Sequence, residues 1–180
     1  MIIFIGVPGS GKSTQGKMLA DKLKLPWLST GEFLRMLVSG ERRASMLRGE
    51  LLEDGEIIAL VQKIFTVVDK NAEFVMDGFP RTTAQVDWLL NQTKHGQLDV
   101  TAVINIKATR GEVKNRLRQR GRLDDTDEAL EQRFTRYESS MKPIIQHLKE
   151  SKIPVLDIEG EGDVEEIHRS VLSAILPLVK

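Results

Sequence analysis

The 180-residue chain balances 26 lysines and arginines against 26 aspartates and glutamates and contains no cysteine. A formal charge of zero lacks the positive field of a nucleic-acid binder, and the absence of thiols removes disulfides, iron–sulfur clusters and thiolate zinc sites. The three histidines are scattered, no apolar run reaches the ~20 residues of a membrane span, and no secretory leader is evident, so the expectation is a soluble cytoplasmic protein without zinc.

Ile2 to Val7 is a short β-branched run ending in Pro-Gly-Ser-Gly, the pattern of a strand buried on both faces that stops at a turn. Lys12 to Leu25 then carries Met18, Leu19 and Leu23 on one helical stripe, and Pro26 closes it. Trp27 to Ser29 predicts a second strand. Thr30 and Gly31 turn into a helix through Leu37 that Gly40 should stop. Glu41 to Asp54 is polar and interrupted by glycines, and Ile57 to Val68 reads as an apolar-rich helix, so residues 30 to about 60 suggest a small helical insertion.

Strand Glu73 to Met76, helix Thr83 to about Thr93, strand Ala102 to Ile106 and helix Arg110 to Gln119 continue the alternation. A helix from Glu128 to Glu150, kinked at Pro143, strand Pro154 to Ile158 and helix Asp163 to Leu176 complete it. Asp125 with Glu128 reads as the cap of the long helix. The pattern predicts one α/β domain with a doubly wound parallel sheet of about five strands and helices on both faces. Ligands of such sheets bind beyond the carboxyl ends of the strands.

Gly6-Val7-Pro8-Gly9-Ser10-Gly11-Lys12-Ser13 fits G-x-x-x-x-G-K-[ST] between a predicted strand and helix. Gly9, Ser10 and Gly11 offer backbone N–H groups to phosphate oxygens, Lys12 adds a charge at the β and γ phosphates, and the helix N-terminus contributes its partial charge. Ser13 or Thr14 can set a hydroxyl beside Mg²⁺, with Asp77 at a neighbouring strand end as its acidic partner, unless that aspartate is a turn residue. The ligand these residues imply is a magnesium-bound nucleoside triphosphate.

Three further segments carry a resemblance. With the loop just quoted and Gln15, Leu28-Ser29-Thr30-Gly31-Glu32-Phe33-Leu34-Arg35, Asp77-Gly78-Phe79-Pro80-Arg81-Thr82 with Gln85, and Gly121-Arg122-Leu123-Asp124-Asp125 followed by Arg133 and Tyr137 are similar to the signatures of adenylate kinases, in family order. The resemblance implies a P-loop kinase fold and the reaction ATP + AMP ⇌ 2 ADP with Mg²⁺, its partners being the nucleotides ATP, AMP and ADP. It implies a core of residues 1–29 and 61–180, a monophosphate-binding insertion at about 30–60, and a lid reduced to a turn at about 119–125. Oligomeric state is left unspecified.

By the same resemblance, Arg35 and Arg81 clamp the AMP phosphate beside Gly78, and Thr30 and Gln85 meet its adenine. Arg116 lies against the ATP base. Arg120, Arg122 and Arg133 surround the transferring phosphoryl group. Arginines suit that task because charge spreads over equatorial oxygens in phosphoryl transfer, and no protein nucleophile is needed. Arg118 reads as solvated, and Trp27, Trp88 and Tyr137 as packing residues.

Two departures stand out. Ser13 replaces a common family glycine, which leaves room for another acceptor, such as UMP, CMP or a small metabolite. Only Gly121 separates Arg120 from Arg122, where relatives carry a flap. One residue spans at most ~3.6 Å, so some ATP hydrolysis without AMP is expected, with closure carried mainly by the insertion. Loss of the flap also raises the possibility of a nucleotide-binding regulatory module without transfer.

Overall fold

The computed structural model describes residues 1–48, 52–120 and 126–179, with the side chains of Met46, Leu47 and Arg120 excepted. Strands β1 (Ile2–Gly6), β2 (Trp27–Ser29), β3 (Val75–Asp77), β4 (Ala102–Lys107) and β5 (Val155–Glu159) form one parallel sheet in the order β2-β3-β1-β4-β5. Consecutive strand residues face opposite sides, and β1 divides its side chains accordingly. Ile3 and Ile5 join one core with Met76 and Val103, whereas Ile2 and Phe4 join the other with Val75 and Ile104.

Helices α1 (Lys12–Leu23) and α8 (Val164–Ile175) cover the Ile2 face through Leu19, Ala20, Ile167 and Val171. Helices α4 (Asp54–Val67), α5 (Thr83–Lys94) and α7 (Asp127–Glu150) cover the Ile3 face through Val61, Leu89 and Ile144. Helix α6 (Arg110–Arg120) presses Val113 and Leu117 against Val7, with Leu130 and Phe134 of α7 completing that cluster. The result is the three-layer α/β sandwich expected. Strand order reverses at β1, which places the loop after Gly6 at the sheet's switch point.

Helices α2 (Thr30–Leu37), α3 (Gly40–Leu47) and α4 all lie between β2 and β3. Gly40 ends no helix here. At φ 56° it redirects the chain and begins α3, because the following Glu, Arg, Ala, Met and Leu residues are good helix formers despite their polarity. Helix α4 starts at Asp54, earlier than hydrophobic periodicity indicated, with Asp54 and Glu56 complementing its positive end. Thr126 caps α7, its hydroxyl accepting from the Ala129 N–H at 3.2 Å. Asp125, expected to cap this helix with Glu128, lies outside the described residues. Helix α7 continues across Pro143, with buried Met141, Ile144 and Leu148 on both sides of the proline. No helix among the described residues is long and apolar enough to cross a membrane.

Candidate active site

Between β1 and α1 the backbone takes φ 86° at Gly9 and 96° at Gly11, values closed to most side chains. Gly11 caps α1 without a side-chain hydrogen bond, so the cap residue itself takes none of the first-turn N–H groups. The loop is also pinned from behind. A β-carbon at Gly9 would sit 2.7 Å from Leu117 Cγ and 2.8 Å from Val113 Cγ1, so α6 packs where only glycine fits. Ser10 is fully buried, while Thr14 is exposed on α1 and does not line the cavity beside the loop.

Asp77 ends β3, the strand next to β1, and is 2% exposed. Its Oδ2 accepts from Ser13 Oγ at 2.6 Å and Ser29 Oγ at 3.3 Å, while Oδ1 is buried without a hydrogen-bond partner among the described residues. A buried carboxylate oxygen left unpaired is costly. With a serine hydroxyl beside it, the pair is chemically suited to a hard cation and its water shell.

Arg116 has a more structural setting than the resemblance gave it. Its Nε donates to Glu112 Oε1 at 2.7 Å, and its Nη1 donates to the Gly160 carbonyl at 2.7 Å and the Ser10 carbonyl at 3.3 Å. The guanidinium thus ties α6 to the loop and to the segment after β5. Arg118, by contrast, meets Asp127 at 3.6 Å with both side chains exposed, in keeping with a solvated role.

Across the same cavity, a β-carbon on Gly31 would lie 3.4 Å from Arg81 Nη2 and 3.6 Å from both terminal nitrogens of Arg35. Two guanidinium groups from distant segments therefore converge on one point of α2. Arg81 is aimed by its Nε, which donates to the Gly78 carbonyl at 2.6 Å; Thr30 Oγ1 donates to the same oxygen at 2.9 Å. Gly78, at φ 82°, has no room for a side chain beneath them. Burial lowers the Arg81 pKa; Asp77 opposes that shift, and Arg133 and Arg35 add to it. Arginine stays charged regardless, so a buried cation, flanked by Asp77 as well as by Arg133 and Arg35, lines this side of the cavity.

Gln85 is 1% exposed and held at both ends of its amide. Oε1 accepts from the Arg81 backbone N–H at 2.8 Å, and Nε2 donates to Asp54 Oδ1 at 2.7 Å. Thr82 donates to the same Asp54 oxygen at 2.8 Å while capping α5. One cavity is lined by Lys12, Ser13 and Asp77 together with Thr30, Arg35, Gly78, Arg81, Gln85 and Arg133, and its apolar walls include Leu34, Leu52 and Ile57. Of the remaining expected residues, Arg122 and the side chain of Arg120 lie outside those described.

Two further residues line this cavity, and a third supports it through Thr82 and Gln85. Arg136 and Tyr137 line the cavity on the helix face of Arg133, at the i+3 and i+4 positions that share a face. Tyr137 Oη donates to Asn105 Oδ1 at 3.3 Å, and Asn105 Nδ2 donates to Asp157 Oδ1 at 2.8 Å. Burial first, then Asp157, pushes the Tyr137 pKa up to about 12, against a hydrogen bond from the Val7 backbone. The third is Asp54. The Arg133-to-Tyr137 spacing was a signal for Tyr137; nothing local in the sequence marked Arg136 or Asp54.

The family model for adenylate kinase matches residues 4–153. The chain belongs to the adenylate kinase family. It is 31% identical to the adenylate kinase of Corynebacterium glutamicum (strain R), with 97% of this chain and 98% of that protein covered. It is 32% identical to those of Leptospira biflexa serovar Patoc (strain Patoc 1 / Ames), covering 97% and 98%, and Prochlorococcus marinus (strain MIT 9211), covering 97% and 96%. Membership places the chain among the phosphotransferases. The alignments with these adenylate kinases span 180 to 184 positions, which leaves little room in them for a long inserted flap. The small number of residues between α6 and α7 is therefore no mark against adenylate kinase membership.

Proposed function

We propose that this protein catalyses ATP + AMP ⇌ 2 ADP, with the triphosphate on the glycine loop and the monophosphate against α2 and α5. The observation that carries this reading is the convergence of Arg35 and Arg81 near Gly31, across one cavity from Lys12, Ser13 and Asp77. Two cationic sites facing one another suit two phosphate chains that must meet.

Loop N–H groups and Lys12 hold the ATP phosphates. Ser13 and, through water, Asp77 would hold Mg²⁺, which would supply positive charge to offset that of the phosphates. Arg35 and Arg81 hold the AMP phosphate, one of whose oxygens attacks the γ-phosphorus while the bond to the ADP leaving oxygen breaks. Arg133, with Arg120 and Arg122, balances the charge on the transferring group. An AMP phosphate oxygen is already anionic, so no general base is required. Residues 30 to about 60 act as the monophosphate-binding insertion.

A screen of AMP, GMP, CMP and UMP with ATP and Mg²⁺, reading nucleoside diphosphate formation, tests the assignment. AMP should give the highest kcat/KM. Preference for UMP or CMP would move the protein to another acceptor class, and binding of ATP without transfer to any acceptor would make it a regulatory module.

A further inference from the structure

We infer that Asp54 is a specificity-determining positioning residue: its carboxylate locks the Gln85 amide in one orientation, so that the acceptor site reads a 6-amino purine and rejects a 6-keto one. The inference rests on the proposed function, with the acceptor base beside Gln85 as the resemblance implies, and it concerns how that base is discriminated rather than which reaction follows.

The orientation follows from donor and acceptor chemistry. An ionised carboxylate can only accept, so the amide end facing Asp54 must be Nε2, at 2.7 Å. A backbone N–H can only donate, so the end facing Arg81 N must be Oε1, at 2.8 Å. Turning the amide over would set an oxygen against a carboxylate and an NH₂ against an N–H. Gln85 is 1% exposed, so water cannot readily replace either lost partner. Thr82 donates to the same Asp54 oxygen at 2.8 Å, which holds the carboxylate in place from the first turn of α5.

Each end of the amide keeps one unused group: a second N–H on Nε2 and a second lone pair on Oε1. Adenine presents a complementary pair, with N1 accepting and the 6-amino group donating. Hypoxanthine reverses both, since N1 carries a proton and position 6 is a carbonyl. IMP has the phosphate, ribose and size of AMP, so the pair isolates this contact. A site that hydrogen-bonds its substrate discriminates through groups left unpaired by the wrong one.

The decisive measurement is the ratio of kcat/KM for AMP to that for IMP in wild type, Asp54→Asn and Asp54→Ala. Each substitution removes the carboxylate that forbids the flipped amide, while the Arg81 N–H still favours the native one. The ratio should therefore fall on the order of tenfold without vanishing. A merely structural loss would depress both substrates together and leave the ratio unchanged, and that result in either folded variant overturns the inference. In wild type, selective labelling of glutamine side-chain amides should reveal a slowly exchanging Gln85 NH₂ pair. Rapid deuterium exchange there would also overturn it, so the inference stays testable if neither variant folds. Wild type that makes no ADP from AMP would instead defeat the proposed function, whereas equal use of AMP and IMP would leave the reaction standing and remove the lock.

Discussion

The two sides of the cavity are both cationic, yet they are built by different means. The side proposed for the triphosphate is mainly backbone: one loop between β1 and α1, with glycines that admit its conformation and a helix N-terminus behind it. The acceptor side is mainly side chain, assembled from α2, α4, α5 and α7 and held by hydrogen bonds between residues tens of positions apart, such as Thr82 and Gln85 to Asp54. A backbone cradle tolerates loss of a side chain in shape while losing charge. A side-chain clamp loses shape and charge together.

Lys12→Ala should break the symmetry of the two sides most severely. Removing the loop's own mobile charge is expected to lower kcat on the order of a thousandfold, with the melting temperature nearly unchanged because the loop backbone is pinned by α6. Steady-state ADP formation with calorimetric melts checks both halves. Activity within tenfold of wild type would mean that the loop N–H groups suffice.

Arg81→Ala should cost roughly a hundredfold in kcat/KM for AMP while leaving ATP affinity nearly intact. Arg35 remains near Gly31, so the phosphate keeps one of its two forks. Isothermal titration with ATP and kinetics over AMP concentration separate the effects. Equal damage to both nucleotides would show that the sides are coupled through Asp77 and Gly78 rather than independent.

The few residues between α6 and α7 also bear on the exclusion of water. ATP hydrolysis without AMP should exceed that of a family member carrying a long flap, because water exclusion strengthens transfer and suppresses that side reaction. Single-turnover phosphate release without AMP measures it. A rate no higher than in the flapped relative would mean that the arginine-lined cavity and the insertion exclude water on their own.

This difference in construction also decides what could be read in advance. The sheet, its helices and the glycine loop announce themselves locally, through apolar runs, periodicity and turn residues at fixed spacings. Arg35, Arg81 and Gln85 were reachable because their flanking segments resemble known signatures. Asp54 was not, since its bonds to Thr82 and Gln85 form only on folding, and neither was the contact of Tyr137 with Asn105. Helix α3 escaped for another reason. Its residues have adequate helix propensity but no apolar stripe, and the glycine expected to end one helix instead begins the next.

Tyr137 joins the two sides, and its expected effect is the smallest. The phenol reaches Asn105 from α7 and takes a hydrogen bond from the Val7 backbone at the start of the glycine loop, one helical turn from Arg133. Tyr137→Phe keeps the ring's packing but leaves buried partners unsatisfied, at a cost of about 1 kcal/mol, or about 2–4 °C in melting temperature. The pH dependence gives a second readout. A tyrosine raised to about 12 in the folded state, against about 10 unfolded, holds its proton more tightly when folded. Its contribution is therefore fully present below about pH 10 and is lost as pH rises through about 12. Wild type should lose stability more steeply across that window than Tyr137→Phe, so the two melting curves converge with increasing pH. Parallel curves from neutral to alkaline pH would mean that the hydroxyl does not couple the loop to α7, and that the two halves of the cavity are joined by packing alone.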